Sequence, residues 1–344
     1  MMTRVLQGKF AAVHGADWER VEMDGFSLHV DHDEGDELSL AESVARTLRD
    51  TPRWIHFRWL YDAAGSEIYE RITEQPEYYP TRTEDRILAD NAAAIRRLAG
   101  DVTLVELGSG SSTKTRRLLD AWTPQGPTRY VPIDISRSAL ERACASLAAA
   151  YPNVTIEGFA ARYARALPLI SDFSPLLLLF LGSSIGNFDK DELCDFLRLG
   201  SESLAPGDRV LLGIDLEKDD AIIEAAYNDA AGYTERFMRN VVERLNRELG
   251  AQIPLRAVAY EGSYNAPESR VEMYLRFTED VTVDGSGLAE AIQIEAGERV
   301  LIEVSRKFST ERIAKRLAEF GFRLDERFCD DDGLFAVLLL TRID

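Results

Sequence analysis

The sequence predicts an α/β protein: an open, mostly parallel sheet with helices on both faces, and a second α+β domain beside it. Three observations carry this. Short apolar runs alternate with helical patterns from about residue 86 onward, a glycine-rich turn follows the first such run, and residues 217–307 hold material that the sheet does not need.

Residues 1–60 are mixed in character. The acidic stretch HVDHDEGDE at 29–37 precedes LSLAESVARTLRDTP, whose apolar spacing predicts an amphipathic helix ending before Pro52. His29 and His32 lie among carboxylates, but no third histidine joins them there. A solvated loop is expected, with no metal site. QPEYYPTRTE at 75–84 follows, and its prolines predict an extended connection, because each fixes its own φ and disfavours helix just before it. One tyrosine packing the loop and one facing a ligand are both open readings of Tyr78-Tyr79.

A helix is predicted over RILADNAAAIRRLAG, then the apolar run VTLVELG, the turn GSGSS and the helical TKTRRLLDAW. Further buried strands are predicted at RYVPID (129–134), VTIEGF (154–159), LLLLFLG (176–182) and RVLLGIDL (209–216), with helices in most intervals. AIIEAAYNDAAGYTERFMRNVVERLNRELG reads as one long helical stretch, and EMYLRF and ERVLIEVSRKF as strands. The chain closes with helix STERIAKRLAEFGF and the strands FRLDERF and FAVLLLTRI.

The chain has 344 residues and is 45% hydrophobic, enough to bury substantial cores. A net charge of −19 repels phosphate backbones and anionic headgroups, which argues against nucleic acid and membrane as partners. No apolar run reaches the roughly 20 residues that span a bilayer, and MMTRVLQGKFAAVHGADWER lacks the apolar core of a secretory signal. A cytoplasmic location is expected. Cys144, Cys194 and Cys329 are widely spaced and odd in number, so they are expected to be reduced.

Glu106-Leu107-Gly108-Ser109-Gly110-Ser111-Ser112 sits where the first sheet strand turns into a helix, the usual ligand crevice of such sheets. The third glycine of a dinucleotide fingerprint is replaced by Thr113, and Glu106 would be awkward beside a pyrophosphate. A carboxylate there suits a ligand with an amine and a sulfonium, which points to S-adenosylmethionine. Asp134, ending the next strand, can accept from both ribose hydroxyls. A tight turn that binds nothing is the alternative.

Together, YDAAGSEIYERITEQPEYYPTRTE, VELGSGSSTKTRRLLDA, YVPIDIS, FLGSSIGNF, AYNDAAGYTERF, EMYLRF and IEVSRKF resemble the histidine Nα-methyltransferases of ergothioneine biosynthesis, in that family's order and over most of the chain from about residue 55. EYYPTR and GSSIGNF are far more specific than the glycine turn. The resemblance implies a class I methyltransferase, Rossmann-like sheet with a second α+β substrate-binding domain. It would place the S-adenosylmethionine-binding domain at 83–216 plus 308–344, and the substrate domain at 1–82 plus 217–307.

The resemblance assigns cofactor contacts to Gly108, Lys114, Asp134, Arg162 and Tyr163. Arg162 departs from relatives with an acidic residue there, since a guanidinium cannot accept from the adenine amine. Tyr78, Asn187 and Tyr227 would hold the carboxylate and α-amine of an amino acid, Tyr61, Glu303 and Ser305 would face its side chain, and Met273 would form an apolar wall. From the residues alone, Asn187 reads equally as a turn asparagine, Tyr227 as a packed helix residue, and Glu303 with Ser305 as a solvated strand face. The implied reaction is three successive methylations of the L-histidine α-amine, giving the betaine hercynine. Orientation rather than a dedicated base would carry it, so no catalytic residue is assigned. Arginine stays open as a substrate, because Glu303 would suit a guanidinium too. A non-catalytic cofactor-binding module is a third reading, and a monomer acting on a small molecule is expected.

Overall fold

The computed structural model describes residues 18–32, 38–110 and 112–343. Residues 1–17 of the N-terminal stretch, positions 33–37 of the acidic stretch and Ser111 of the glycine turn lie outside the described residues. An N-terminal hairpin of β1 (Trp18–Met23) and β2 (Phe26–Asp31) precedes β3 (Thr103–Leu107), β4 (Thr128–Asp134), β5 (Val154–Ala160), β6 (Leu176–Phe180) and β7 (Arg209–Asp215). Then come β8 (Val258–Asn265), β9 (Arg270–Phe277), the short pair β10 (Val281–Val283) and β11 (Ile292–Ile294), β12 (Arg299–Arg306), β13 (Phe322–Cys329) and β14 (Phe335–Arg342).

Among the described residues, the main sheet has nine strands in the order β1-β2-β5-β4-β3-β6-β7-β14-β13. Strands β3 to β7 are parallel, while β14 inserts antiparallel between β7 and β13. This is the class I methyltransferase arrangement. Both neighbours of β3 run parallel to it, and the chain winds outward first through β4 and β5, then through β6 and β7. The switch lies between β3 and β6, where the carboxyl ends of the strands open a ligand crevice. β6 is LLLLF and buried throughout, as a strand covered on both faces requires.

Three expectations change. The N-terminal hairpin does not join the second domain: β2 pairs parallel with β5 and extends the main sheet. It covers backbone that β5 would otherwise leave unpaired. His29 is consequently a buried strand residue, stacked on Phe159 at 4.6 Å and paired with Glu157 at 2.8 Å, whereas the exposed His32 pairs with Glu19 at 2.9 Å.

QPEYYPTRTE is not extended to its end, because a helix of 21 residues, Tyr79–Ala99, starts within it. Pro80 fits the first turn, where its missing N–H would have had no helical partner. Arg82 steadies the entry by donating to the carbonyls of Gln75, Pro76 and Tyr78.

The long helical stretch after β7 is two helices, Asp220–Ala226 and Tyr233–Leu249. Gly232 sits between them at φ +72°, and the Asp229 carboxylate accepts from the N–H groups of Tyr233 (2.7 Å) and Thr234 (2.8 Å), starting the second helix. Tyr227 therefore lies at the break and not within a helix.

A separate antiparallel sheet, β12-β9-β8, packs with the Tyr233–Leu249 helix and residues 40–79 around a second core that includes Leu60, Met238, Val241, Met273 and Ile302. Among the described residues no helix is long and apolar enough to cross a membrane. The three cysteines are all free.

Candidate active site

A cleft opens between the carboxyl ends of β6 and β7 and the second sheet. Tyr61, Tyr78, Asn187, Tyr227, Met273, Glu303 and Ser305, which are widely scattered in sequence, all line it. Each reaches the wall for a local reason. Tyr78 is the residue before the Tyr79–Ala99 helix, Asn187 ends the short 3-10 turn Ser184–Asn187 after β6, and Tyr227 ends the Asp220–Ala226 helix. Glu303 and Ser305 share one face of β12 beyond an irregularity in its pairing with β9, so Ile302 and Val304 enter the apolar interior. Both polar residues are buried, which removes the solvated-face reading.

The polar pairings cross the expected division of labour. Asn187 Nδ2 donates to Glu303 Oε1 at 2.8 Å, and the hydroxyls of Tyr227 and Ser305 lie 2.7 Å apart. Each pair joins a residue expected at the amino-acid end to one expected at the side-chain end. Tyr61 packs edge-on against Tyr69 and Phe237 and hydrogen-bonds Glu303. Tyr78 packs edge-on against Tyr227, with its hydroxyl 3.5 Å from that of Tyr69.

Burial pushes the Glu303 carboxyl up to about 8 and outweighs the nearby Lys307 and the Tyr61 hydrogen bond. The folded chain therefore holds a proton that the unfolded chain releases near 4.5, so this group's contribution to stability falls as pH rises from about 4.5 to about 8. Glu303→Gln should leave the Tm unchanged near pH 5 and raise it by several degrees above pH 8. Thermal scans of both proteins across that range check this, and a pH-independent difference would mean that the carboxyl is ionised throughout.

The glycine turn lies at the other mouth of the crevice. Gly108 adopts φ +66°, and a Cβ there would sit 2.6 Å from the Tyr163 hydroxyl, so only glycine allows that approach. Tyr163 packs edge-on against Phe180 and Phe196, and Arg162 is the residue before the short helix that Tyr163 starts. Asp134 is held by the N–H groups of Gly110 (2.9 Å) and Ser136 (2.8 Å), and burial raises its carboxyl against these bonds. Beside it Ile135 is 57% exposed, an aliphatic surface at a strand end that sequence reasoning missed.

Lys114 pairs with the fully buried Glu84, whose carboxylate also accepts from the Gly182 N–H at 2.9 Å. Gly182 lines the substrate cleft, so this pair ties the glycine-turn helix to that wall. Glu106 does not face the crevice as a free carboxylate. Thr115 (2.5 Å) and Tyr130 donate to it, and burial pushes it up to about 7.

Sequence reasoning also missed a charged cluster at the cleft, which Asp215 lines. Asp215, at the end of β7, accepts from Tyr79 (2.8 and 3.0 Å), Lys307 (2.7 Å) and Lys218. Lys307 also reaches Tyr227 (2.7 Å) and Ser305 (2.9 Å). Lys307, the residue just after β12, continues the every-second-residue spacing of Glu303 and Ser305, a signal that could have revealed it.

The two adjacent tyrosines are thus distinct: Tyr79 joins this charged cluster, and Tyr78 faces the cleft. Tyr79→Phe should cost roughly 1–3 kcal/mol of stability, since its hydroxyl bonds charged groups. Tyr78→Phe should cost under about 1 kcal/mol of stability and act on the amino-acid KM instead. Urea denaturation and steady-state kinetics on both variants check the contrast.

A family model described as histidine-specific, S-adenosylmethionine-dependent methyltransferase matches residues 40–342. The chain is 40% identical over 309 residues to histidine N-alpha-methyltransferase of Mycolicibacterium smegmatis, covering 88% of this chain and 96% of that protein. It is 37% identical over 315 residues to the Mycobacterium tuberculosis protein of the same name, covering 91% and 98%. Ergothioneine biosynthesis protein 1 of Neurospora crassa is 31% identical over 286 residues, covering 80% of this chain and 32% of that longer protein.

Proposed function

The chain belongs to the histidine-specific, S-adenosylmethionine-dependent methyltransferases, and from that premise we propose that it methylates the α-amine of L-histidine to the trimethylated betaine hercynine, a step of ergothioneine biosynthesis. The observation that carries the acceptor reading is the buried cleft wall, where Asn187, Glu303, Tyr227 and Ser305 meet beside the cofactor crevice.

The crevice residues fit S-adenosylmethionine. The Gly108 turn clears space that a side chain would fill, Asp134 ends β4 as a ribose-hydroxyl acceptor, and Ile135 and Tyr163 offer apolar surface for adenine. Lys114 is the cation for the methionyl carboxylate. When bound, the cofactor supplies an electrophilic methyl on a sulfonium. The protein's own part is to hold the amine in line with that methyl. Tyr78 and Asn187 bind the amino-acid end through neutral donors, adding no new cation beside the sulfonium, while Tyr227 joins Ser305 on the side-chain wall.

Free α-amines titrate near roughly 8, so a neutral amine with its lone pair is available at neutral pH without a dedicated base. Orientation then accounts for the rate. Each transfer removes an N–H, so grip on the substrate must come from its carboxylate and side chain. In this reading residues 40–82 and 217–307 form the substrate-binding part, and the protein works in the cytoplasm as a monomer on a small molecule.

The test is incubation of purified protein with S-adenosylmethionine and each proteinogenic amino acid, followed by mass analysis. Trimethylated histidine is expected as the dominant product. Turnover of another amine without methylated histidine would overturn the reading.

A further inference from the structure

We infer that Lys307 fixes the hydrogen-bond polarity of the Tyr227–Ser305 wall, so that the cleft takes a side chain with an acceptor nitrogen beside a donor, a neutral imidazole, and turns away the donor-only guanidinium of arginine. The inference rests on the amino-acid acceptor reading above and deepens it, since Glu303 alone suits both side chains. Lys307 touches the reaction only through Tyr227 and Ser305, and is a positioning residue.

The argument is a count of hydrogens. An ammonium has three N–H donors and no acceptor. Lys307, 1% exposed, has three partners: Asp215 Oδ2 at 2.7 Å, Tyr227 Oη at 2.7 Å and Ser305 Oγ at 2.9 Å. All three of its hydrogens are therefore engaged, and both hydroxyl oxygens accept from it. The two hydroxyls, 2.7 Å apart, have two hydrogens, and one of these lies in the bond between them. Whichever residue donates, one O–H is left over. Lys307 closes the wall from behind and both residues line the cleft, so that hydrogen points to the ligand.

A buried donor left unmatched weakens binding by about tenfold or more, so the ligand must present an acceptor there. Glu303 stands two residues from Ser305 on the same face of β12 and offers an accepting carboxyl oxygen. A neutral imidazole matches both: its N–H meets Glu303, and its bare nitrogen accepts from the wall. An imidazolium or a guanidinium offers hydrogens on both sides and leaves the wall hydrogen without a partner. Charge points the same way. Lys307 already has its counter-charge in Asp215, so a neutral ring leaves that buried pair balanced, whereas a guanidinium adds a cation.

The first test uses the wild-type protein with S-adenosylhomocysteine and ring-15N-labelled L-histidine. NMR of the complex should show one pyridine-type and one pyrrole-type ring nitrogen. Two pyrrole-type nitrogens, the signature of imidazolium, would overturn the inference. The second is calorimetric titration of L-histidine and L-arginine into wild type and Lys307→Met, with S-adenosylhomocysteine affinity as the check on folding. The histidine-to-arginine affinity ratio should shrink at least about tenfold in the variant. An unchanged ratio in a variant that still binds S-adenosylhomocysteine normally would overturn it, and should the variant fail to fold, the NMR result decides. If wild type binds no histidine at all, the acceptor reading itself falls, and this inference with it.

Discussion

Asp215→Ala is expected to destabilise the protein by roughly 3–5 kcal/mol, because removing one partner of a buried ion pair strands the other charge. Asp215 is 1% exposed and is the carboxylate partner of two lysines. Burial would discharge Lys307, yet Asp215 and Tyr227 hold its proton more firmly than usual. Burial pushes Lys218, in contrast, down to about 8. Loss of Asp215 therefore falls mainly on Lys307, which cannot reach water. Adding Lys307→Met to Asp215→Ala should restore part of the stability, since a buried pair replaced by apolar groups is often neutral. Urea midpoints of the two variants measure this, and a loss below about 1 kcal/mol for Asp215→Ala would mean that the pair is solvated.

Glu303→Ala is expected to lower kcat/KM for histidine by about 30- to 150-fold, corresponding to roughly 2–3 kcal/mol. The substitution removes the acceptor for an imidazole N–H and also deprives Asn187 Nδ2 of its partner. S-adenosylhomocysteine affinity should stay within about twofold, because in this reading the carboxylate faces only the amino acid. Steady-state kinetics with calorimetry separates the two. Equal losses for both ligands would make Glu303 a support of the fold.

Much of the main sheet is legible in the sequence because its strands are buried on both faces. LLLLF and RVLLGID have no other plausible place in a folded chain, and the glycine turn marks the crevice. The N-terminal hairpin is harder to read: β1, WERVEM, is an edge strand with four exposed positions, so its composition resembles a loop. The helix start at Tyr79 was hidden by Pro80, which breaks a helix interior but suits its first turn.

By itself the sequence determined the class of fold and, through EYYPTR, GSSIGNF and IEVSRKF, the family and the residues to watch. It marked Tyr78-Tyr79 as a pair without saying what divides them. Only the tertiary structure decided that, sending Tyr79 to Asp215 and Tyr78 to the cleft. It also decided which charges matter. Asp215, Lys218, Lys307 and Glu84 read as ordinary charged residues until they are seen buried together. The reason is physical: apolar periodicity is local and written along the chain, whereas the desolvation and pairing of a charge depend on residues brought close from distant positions.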